Sequence, residues 1–365
     1  MSRLFPAEFV FPGHPDKLCD AIADTLVLEA HRREARALVG VEVAVHRNRV
    51  FVTGRIACKD AETIDIEKAV RDVYRSAGYG DGWYPSPEEV VVESHLCLGP
   101  LEDGEAEFRE LSDDQAICVG YANDIPQTNH LPVEHWLAGR FARRLHALRG
   151  EVLGPDGKVL VLLREDGAKW ALEAFSCSLQ QRAAADDVAL HRAVRLAIED
   201  ELRSLAAILP GLSAELPKQL TVNGAGAFEV GGPEGDNGLS GKKLVMDAYG
   251  PRIPIGGGAW SGKDFFKADR AGGLHARRLA KLVVQLGLAT EARVTLAWFP
   301  GDRVARLVGI ETPSGLLARA TQLAGCVDLS LARSGQQFQV DDLAGVARWG
   351  HFGQPDYPWE KNVLI

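Results

Sequence analysis

Residues 41–58 read VEVAVHRNRVFVTGRIAC. Apolar and polar residues alternate on both sides of a polar turn at 46–49, the period-two signature of a β-hairpin. A helical pattern follows over 64–76, where Ile64, Ile66, Ala69, Val70 and Val73 share one face. The same order returns twice. Residues 159–179 turn at 165–168 and lead to a helix over 188–205; residues 292–311 turn at 300–302 and lead to a helix over 314–324. The copies recur at roughly 120–130 residues, too long a period for a solenoid and right for repeated domains. The pattern predicts an α+β fold of three related units, each a sheet covered by helices, over residues 1–100, 111–230 and 231–365.

The chain has 365 residues, 46% of them hydrophobic, enough for several packed cores. Its formal net charge of −9 argues against nucleic acid or an acidic membrane as a general partner. It leaves room for a small polyanion held by clustered lysines. The N-terminus carries no apolar run of signal-peptide length, and no segment reaches transmembrane length. Six widely spaced cysteines without a CxxC predict free thiols, and with them a cytoplasmic protein.

Two stretches interrupt the repeats. Residues 98–114 (LGPLEDGEAEFRELSDD) are acidic and aperiodic, and read as a mobile surface loop at a domain boundary. Residues 224–262 are dense in Gly, Asp, Lys and Ser, and much of the active site is expected there. Glycines let backbone approach a ligand, and lysines match phosphate charge. Within them lie Gly231-Gly232-Pro233-Glu234-Gly235-Asp236-Asn237-Gly238-Leu239-Ser240-Gly241-Lys242-Lys243 and, from Gly256, GGGAWSGKD, followed by Lys267 and Asp269. Residues 257–263 approach a P-loop, but Asp264 replaces the Ser or Thr that would hold Mg²⁺, and Pro251 and Pro254 break the preceding strand. Nearer the N-terminus, Gly13-His14-Pro15-Asp16-Lys17 opens a helix with Leu18, Ile22 and Leu26 on one face. Pro15 suits its first position and His14 its cap. The motif reads either as an ordinary capped helix or as a phosphate site, with Asp16 on Mg²⁺ and Lys17 on a phosphate or a neighbouring carboxylate.

GHPDK, GGPxGDxGLxGxK, GGGAxSGKD, and the terminal Gly350-His351-Phe352-Gly353 with Pro358-Trp359-Glu360-Lys361 together resemble the S-adenosylmethionine synthetases, in order over nearly the whole chain. The resemblance implies three similar α+β domains about a pseudo-threefold axis. It implies formation of S-adenosylmethionine from ATP and L-methionine, in a homodimer or homotetramer whose active site lies between subunits. His14, Lys158, Lys242, Lys243 and Lys263 would act on the leaving triphosphate. Asp156, Phe228, Asp236 and Ala259 would join them around ATP, with Phe228 stacked on adenine. Arg55, Asp114, Asp236 and Lys267 would lie near the second substrate. Asp16 and Asp269 would hold Mg²⁺, and Glu42 K⁺.

The chain departs from the family's pattern at three places. Arg55 stands where the family has a glutamate for methionine's amino group. Residues 98–114 are short and offer no match to the loop glutamine. Ala227 replaces a basic residue before Phe228, and Lys242 replaces an arginine. Two alternatives follow: an adenosyltransferase for another nucleophile, or a nucleotide-binding partner subunit without activity. An Arg about 4 Å from an ammonium would cost on the order of 4 kcal/mol at moderate dielectric, which favours the first alternative.

Overall fold

The computed structural model describes residues 2–150, 152–183 and 185–361. The chain runs β1 (Arg3–Val10), α1 (Pro15–Arg33), β2 (Leu38–His46), β3 (Arg49–Ala57), α2 (Ile66–Ala77), β4 (Val91–Gly99), α3 (Glu105–Phe108), β5 (Ala116–Asn123) and α4 (Val133–His146). It continues β6 (Leu153–Asp166), β7 (Lys169–Gln181), α5 (Asp187–Ile208), β8 (Gln219–Val222), β9 (Gly238–Leu239), α6 (Leu244–Asp247) and α7 (Ala268–Gln285). The last elements are β10 (Glu291–Trp298), β11 (Arg306–Thr312), β12 (Gly315–Leu316), α8 (Ala320–Ala324), α9 (Leu331–Gln337) and α10 (Leu343–Trp349).

The three predicted hairpins, β2–β3, β6–β7 and β10–β11, each lie within one four-stranded sheet. The sheets have strand orders β4-β3-β2-β9, β1-β6-β7-β8 and β12-β11-β10-β5. Period-two alternation sends Val39, Val41, Val43, Val45, Val50 and Val52 inward, under α1 and α2. In the second sheet α4 packs on β1 and β6; in the third, α7 packs on β5 and β10.

The sheets do not coincide with the contiguous ranges read from the sequence. β1 pairs with β6 of the middle sheet, β5 with β10 of the third, and β9 with β2 of the first. Each sheet therefore takes one strand from another range. A sheet edge accepts any strand brought to it, and alternation alone does not name the partner.

The helix expected over 314–324 is shortened. Gly315, at φ +104°, turns the chain so that Gly315–Leu316 pairs with Glu311 and Thr312, and helix begins only at Ala320. Residues 98–114 also differ from a mobile loop. Leu98 and Gly99 continue β4 beside Ile56 and Ala57, and Arg109 is buried, donating to Arg36 O at 3.2 Å, Ala37 O at 3.1 Å and the Asp264 carboxylate. The six cysteines are free, as expected. No helix among the described residues is long and apolar enough to cross a membrane.

Candidate functional site

The site is organised by α1. Pro15 occupies its first turn, and the His14 side chain caps it, Nδ1 accepting the Asp16 N–H at 3.2 Å. Three acids then repeat every fourth residue along one face, and each receives a backbone N–H from a glycine-rich loop. Asp16 Oδ1 accepts from Leu239 at 3.0 Å, Asp20 Oδ1 from Gly241 at 2.7 Å, and Asp24 Oδ1 from Gly262 at 2.9 Å. The loops approach too closely for side chains. A Cβ on Gly238 would lie 2.4 Å from the Pro15 carbonyl oxygen, and one on Gly262 2.2 Å from that of Val41.

The ladder sorts the cations. Lys243 pairs with Asp16 Oδ2, and Lys242 Nζ lies 3.8 Å from Asp16 Oδ1. Lys17 is fully buried between Asp20 at 2.9 Å and Asp247 at 2.6 Å. Of its two expected partners the carboxylate is therefore the one it has. Arg270 grips Asp24 with both nitrogens, at 2.7 and 2.8 Å, and also holds the Lys263 carbonyl at 2.8 Å. Asp20, Asp24, Arg270 and Asp247 were not legible as site residues. Asp20 and Asp24 carried one signal, their four-residue spacing with Asp16 along the helix; Arg270 and Asp247 carried none.

Beside the His14 cap lies a cleft of about 390 Å³, lined by His14, Asp156, Lys158, Phe228 and Asp236 among others. Five of the residues expected around ATP thus share one cavity. Asp156 Oδ2 accepts the Gly232 N–H at 2.8 Å, and burial pushes its carboxyl up to about 6. Lys158 reaches Glu8 at 2.6 Å and stays half-exposed. Burial, then Lys243, pull His14 down to about 4, so its imidazole is neutral near pH 7. Because Nδ1 accepts the Asp16 N–H, the remaining ring proton sits on Nε2.

A second cationic group forms further along α1. Lys263 pairs with Asp269, and Lys267 with Asp113. Asp114, expected with Lys267 near the second substrate, accepts the Gln115 N–H at 2.7 Å. Asp16 and Asp24 are eight residues apart, so the loops they anchor are separated by roughly 12 Å along the helix. Ala259 is absent from the cleft lining and lies against Gly241. Arg55 forms a two-pronged bridge to Glu105 at 2.7 and 2.8 Å, with Glu102 at 3.4 Å.

Sequence comparison gives this geometry a family. The S-adenosylmethionine synthetase N-terminal domain matches residues 2–95, and the C-terminal domain residues 230–361. An S-adenosylmethionine synthase of Thermosynechococcus vestitus is 34% identical, covering 99% of this chain and 96% of the relative. Proteins of the same name from Deinococcus radiodurans (32%; 99% and 95% covered) and Methylobacterium sp. (34%; 99% and 96%) are similar. The chain belongs to the S-adenosylmethionine synthetase family. The alignment with the Thermosynechococcus vestitus protein spans 409 positions, more than the chain's own length, so that relative has residues this S-adenosylmethionine synthetase lacks.

The terminal motif that carried part of the resemblance is structural in this synthetase. Glu360 is buried and binds Arg277 at 3.1 Å and Lys281 at 2.8 Å, both on α7. Trp359 donates to the His351 carbonyl at 2.7 Å, and His351 Nε2 lies 3.0 Å from Arg270. The motif thus braces the helix that supplies Asp269 and Arg270.

Asp16 and Asp269 offer hard carboxylate oxygens, one in each cationic group, and among the described residues no three His, Cys, Asp or Glu are grouped so as to hold a metal ion by themselves. That set fits Mg²⁺, which binds one or two carboxylates and fills its octahedron with phosphate oxygens and water. Glu42 accepts from the Ser240 hydroxyl at 2.6 Å on an exposed sheet face. A lone carboxylate and hydroxyl do not by themselves form a K⁺ cage.

Burial of histidines predicts a loss of stability in acid. It pulls His135 and His146 down to about 4, His275 to about 3 and His351 well below its ordinary value. Unfolded histidines titrate near about 6.5, so between about pH 6.5 and 4 the unfolded chain takes up protons that the folded chain refuses. Stability from these groups falls as pH drops through that window. Asp156, raised to about 6, works in the opposite direction, as does Asp247, raised by burial and by Asp20. The imidazoles outnumber them, and the thermal midpoint should fall steadily from pH 7 to pH 5. A flat or rising midpoint would contradict this assignment.

Proposed function

We propose that this chain is a methionine adenosyltransferase, converting ATP, L-methionine and water to S-adenosylmethionine, phosphate and pyrophosphate. The observation that carries the reading is the cleft that joins His14, Lys158 and Phe228 beside Asp16, with Lys242 and Lys243 at its edge. Thioether sulfur has no proton to lose, so attack on the ribose 5′-carbon needs no general base. The demand is alignment, and neutralisation of charge gathering on the departing triphosphate. Phe228 offers a face for adenine. Neutral His14 donates from Nε2 to a phosphate oxygen, and Lys158, Lys242 and Lys243 supply positive charge. Bound Mg²⁺, held by Asp16 and Asp269, would add Lewis-acid stabilisation of the phosphate oxygens.

Lys263 and Lys267 complete the site from a second copy of the chain. The face of the β4-β3-β2-β9 sheet turned away from α1 supports such a pairing. It carries exposed Leu239 and Phe51 with partly exposed Ala44 and Glu93 in one cross-strand row, and exposed Glu42, Thr53 and His95 in the next. Phe51 and Leu239 are 43% and 47% exposed, high for large apolar side chains that remain in water. Both cationic groups border this sheet, through Ser240 on Val43 and Lys263 beside Gly40. A twofold pairing across it would set one chain's Lys243 group against the other's Lys263 group.

Arg55 does not argue against methionine once its partners are known. Glu105 fills its fork, and Glu102 leaves the trio with a net negative charge, which an ammonium group tolerates. The test is incubation of the purified protein with ATP, Mg²⁺ and methionine, with product masses and phosphate release read together. Methionine-dependent S-adenosylmethionine is the expected product. Turnover only with another thioether, or none at all, would overturn the reading.

Lys242 keeps charge near Asp16 but lacks a guanidinium fork. Lys242→Arg is expected to raise adenosyl transfer or triphosphate hydrolysis roughly three- to fivefold. No gain in either step would remove that explanation.

A further inference from the structure

A cleft of about 520 Å³ opens between α4, the turn at 126–131 and the chain following α10, and the adenosyl reaction makes no use of it. Its walls include Phe9, Trp136, Trp349 and Phe352. Among them lies Arg143, whose guanidinium sits 5.0 Å over the Trp349 ring and 6.0 Å from Phe9. Its one hydrogen bond among the described residues is to the Trp349 carbonyl, at 3.2 Å. Arg143 is only partly exposed, and a guanidinium held in an aromatic cleft normally faces a carboxylate. Among the described residues no carboxylate pairs with Arg143: its titratable neighbours are the Tyr357 phenol and another cation, Arg140, which is already paired with Glu201 at 2.8 Å. Burial consequently draws the Arg143 proton affinity down. Asn129, also lining the cleft, has a buried Nδ2 without an acceptor. A cation and an amide donor, both short of an anionic oxygen, thus stand beside aromatic faces.

We propose that this cleft binds a small organic anion with a flat apolar body, its carboxylate or phosphate monoester on Arg143 and Asn129 and its ring against Trp349 and Phe352. Planar guanidinium recognises such anions with two parallel hydrogen bonds, and aromatic walls take up the ring. The occupant would bear on the catalytic loop. Phe352 stacks on Tyr249 at 4.9 Å and meets Trp260 edge-on at 5.5 Å, and the Trp260 carbonyl accepts the Lys263 N–H at 3.2 Å.

The test is isothermal titration of the full chain, without ATP or methionine, by benzoate and by phenyl phosphate, with neutral benzamide as the isostere. At least one anion is expected to saturate with a Kd of about 0.1–1 mM, with benzamide at least tenfold weaker. Preloading with ATP should not block that binding, although contact through Phe352 and Trp260 allows a modest change in affinity. Arg143→Met should weaken it at least tenfold. Because Arg143 packs on Trp349 and Phe9 and its variant can fail to fold, Gln127→Glu on the exposed rim provides the second arm and should weaken binding severalfold by charge repulsion. Equal affinity for benzamide, no saturation by either anion, displacement by ATP, or unchanged binding in Gln127→Glu would each overturn the proposal. None of these readouts depends on turnover, so failure here is separable from failure of the adenosyltransferase reading.

Discussion

Lys243→Ala and Lys263→Ala are each expected to lower turnover by roughly 10²–10³-fold, the scale of losing one preorganised charge on a leaving anion. The loss should fall on the rate of chemistry more than on methionine affinity, since neither lysine contacts the neutral sulfur in the proposed arrangement. Single-turnover measurement at saturating ATP and methionine separates the two. Each variant should remain folded, because both lysines lie at the solvent-facing edge of their ion pairs, with side chains 17% and 24% exposed. Turnover within tenfold of the unmodified protein would place the leaving triphosphate elsewhere.

Asp24→Ala should have the largest effect on stability, a loss of about 3–5 kcal/mol in urea unfolding. Asp24 and Arg270 are both fully buried, so removing the carboxylate leaves an uncompensated guanidinium and an unanswered Gly262 N–H. A loss of that size is comparable with the whole stability of many domains, which is about 5–15 kcal/mol. The double change Asp24→Ala with Arg270→Leu should recover part of it, because the stranded charge goes too. A double variant no more stable than Asp24→Ala alone would contradict this reading of the pair.

The repeated hairpins were legible because each is half-buried, so one face of every strand must be apolar. The same logic hid α7. Its 268–285 stretch is buried nearly all round, yet places Arg270, Arg277, Arg278 and Lys281 in the interior. Those charges are answered by Asp24 and Glu360 and by backbone carbonyls, distant in sequence, so no amphipathic stripe marks the helix. Residues 98–114 looked unanchored for the same reason: Arg36, Arg55 and Asp264 hold them from outside the segment. Motif recognition pointed to His14, Asp16, Lys158 and Phe228, of which the fold brings His14, Lys158 and Phe228 to one cleft. It did not reveal the acid ladder of α1 that gathers the loops. Nor did it reveal that Glu105 neutralises Arg55, because such pairing is a property of the folded chain.

The account turns on two cationic groups from different chains closing on one triphosphate. Co-expression of Lys243→Ala and Lys263→Ala chains carrying different tags, followed by tandem purification of the mixed oligomer, tests this directly. In a mixed pair one of the two sites combines both damaged groups and the other combines both intact ones. Methionine-dependent turnover should therefore return to at least roughly a quarter of the unmodified level. If each chain held a complete site by itself, every site in the mixture would lack one lysine. Activity would then stay at the level of the separate variants, and the shared-site account would be wrong.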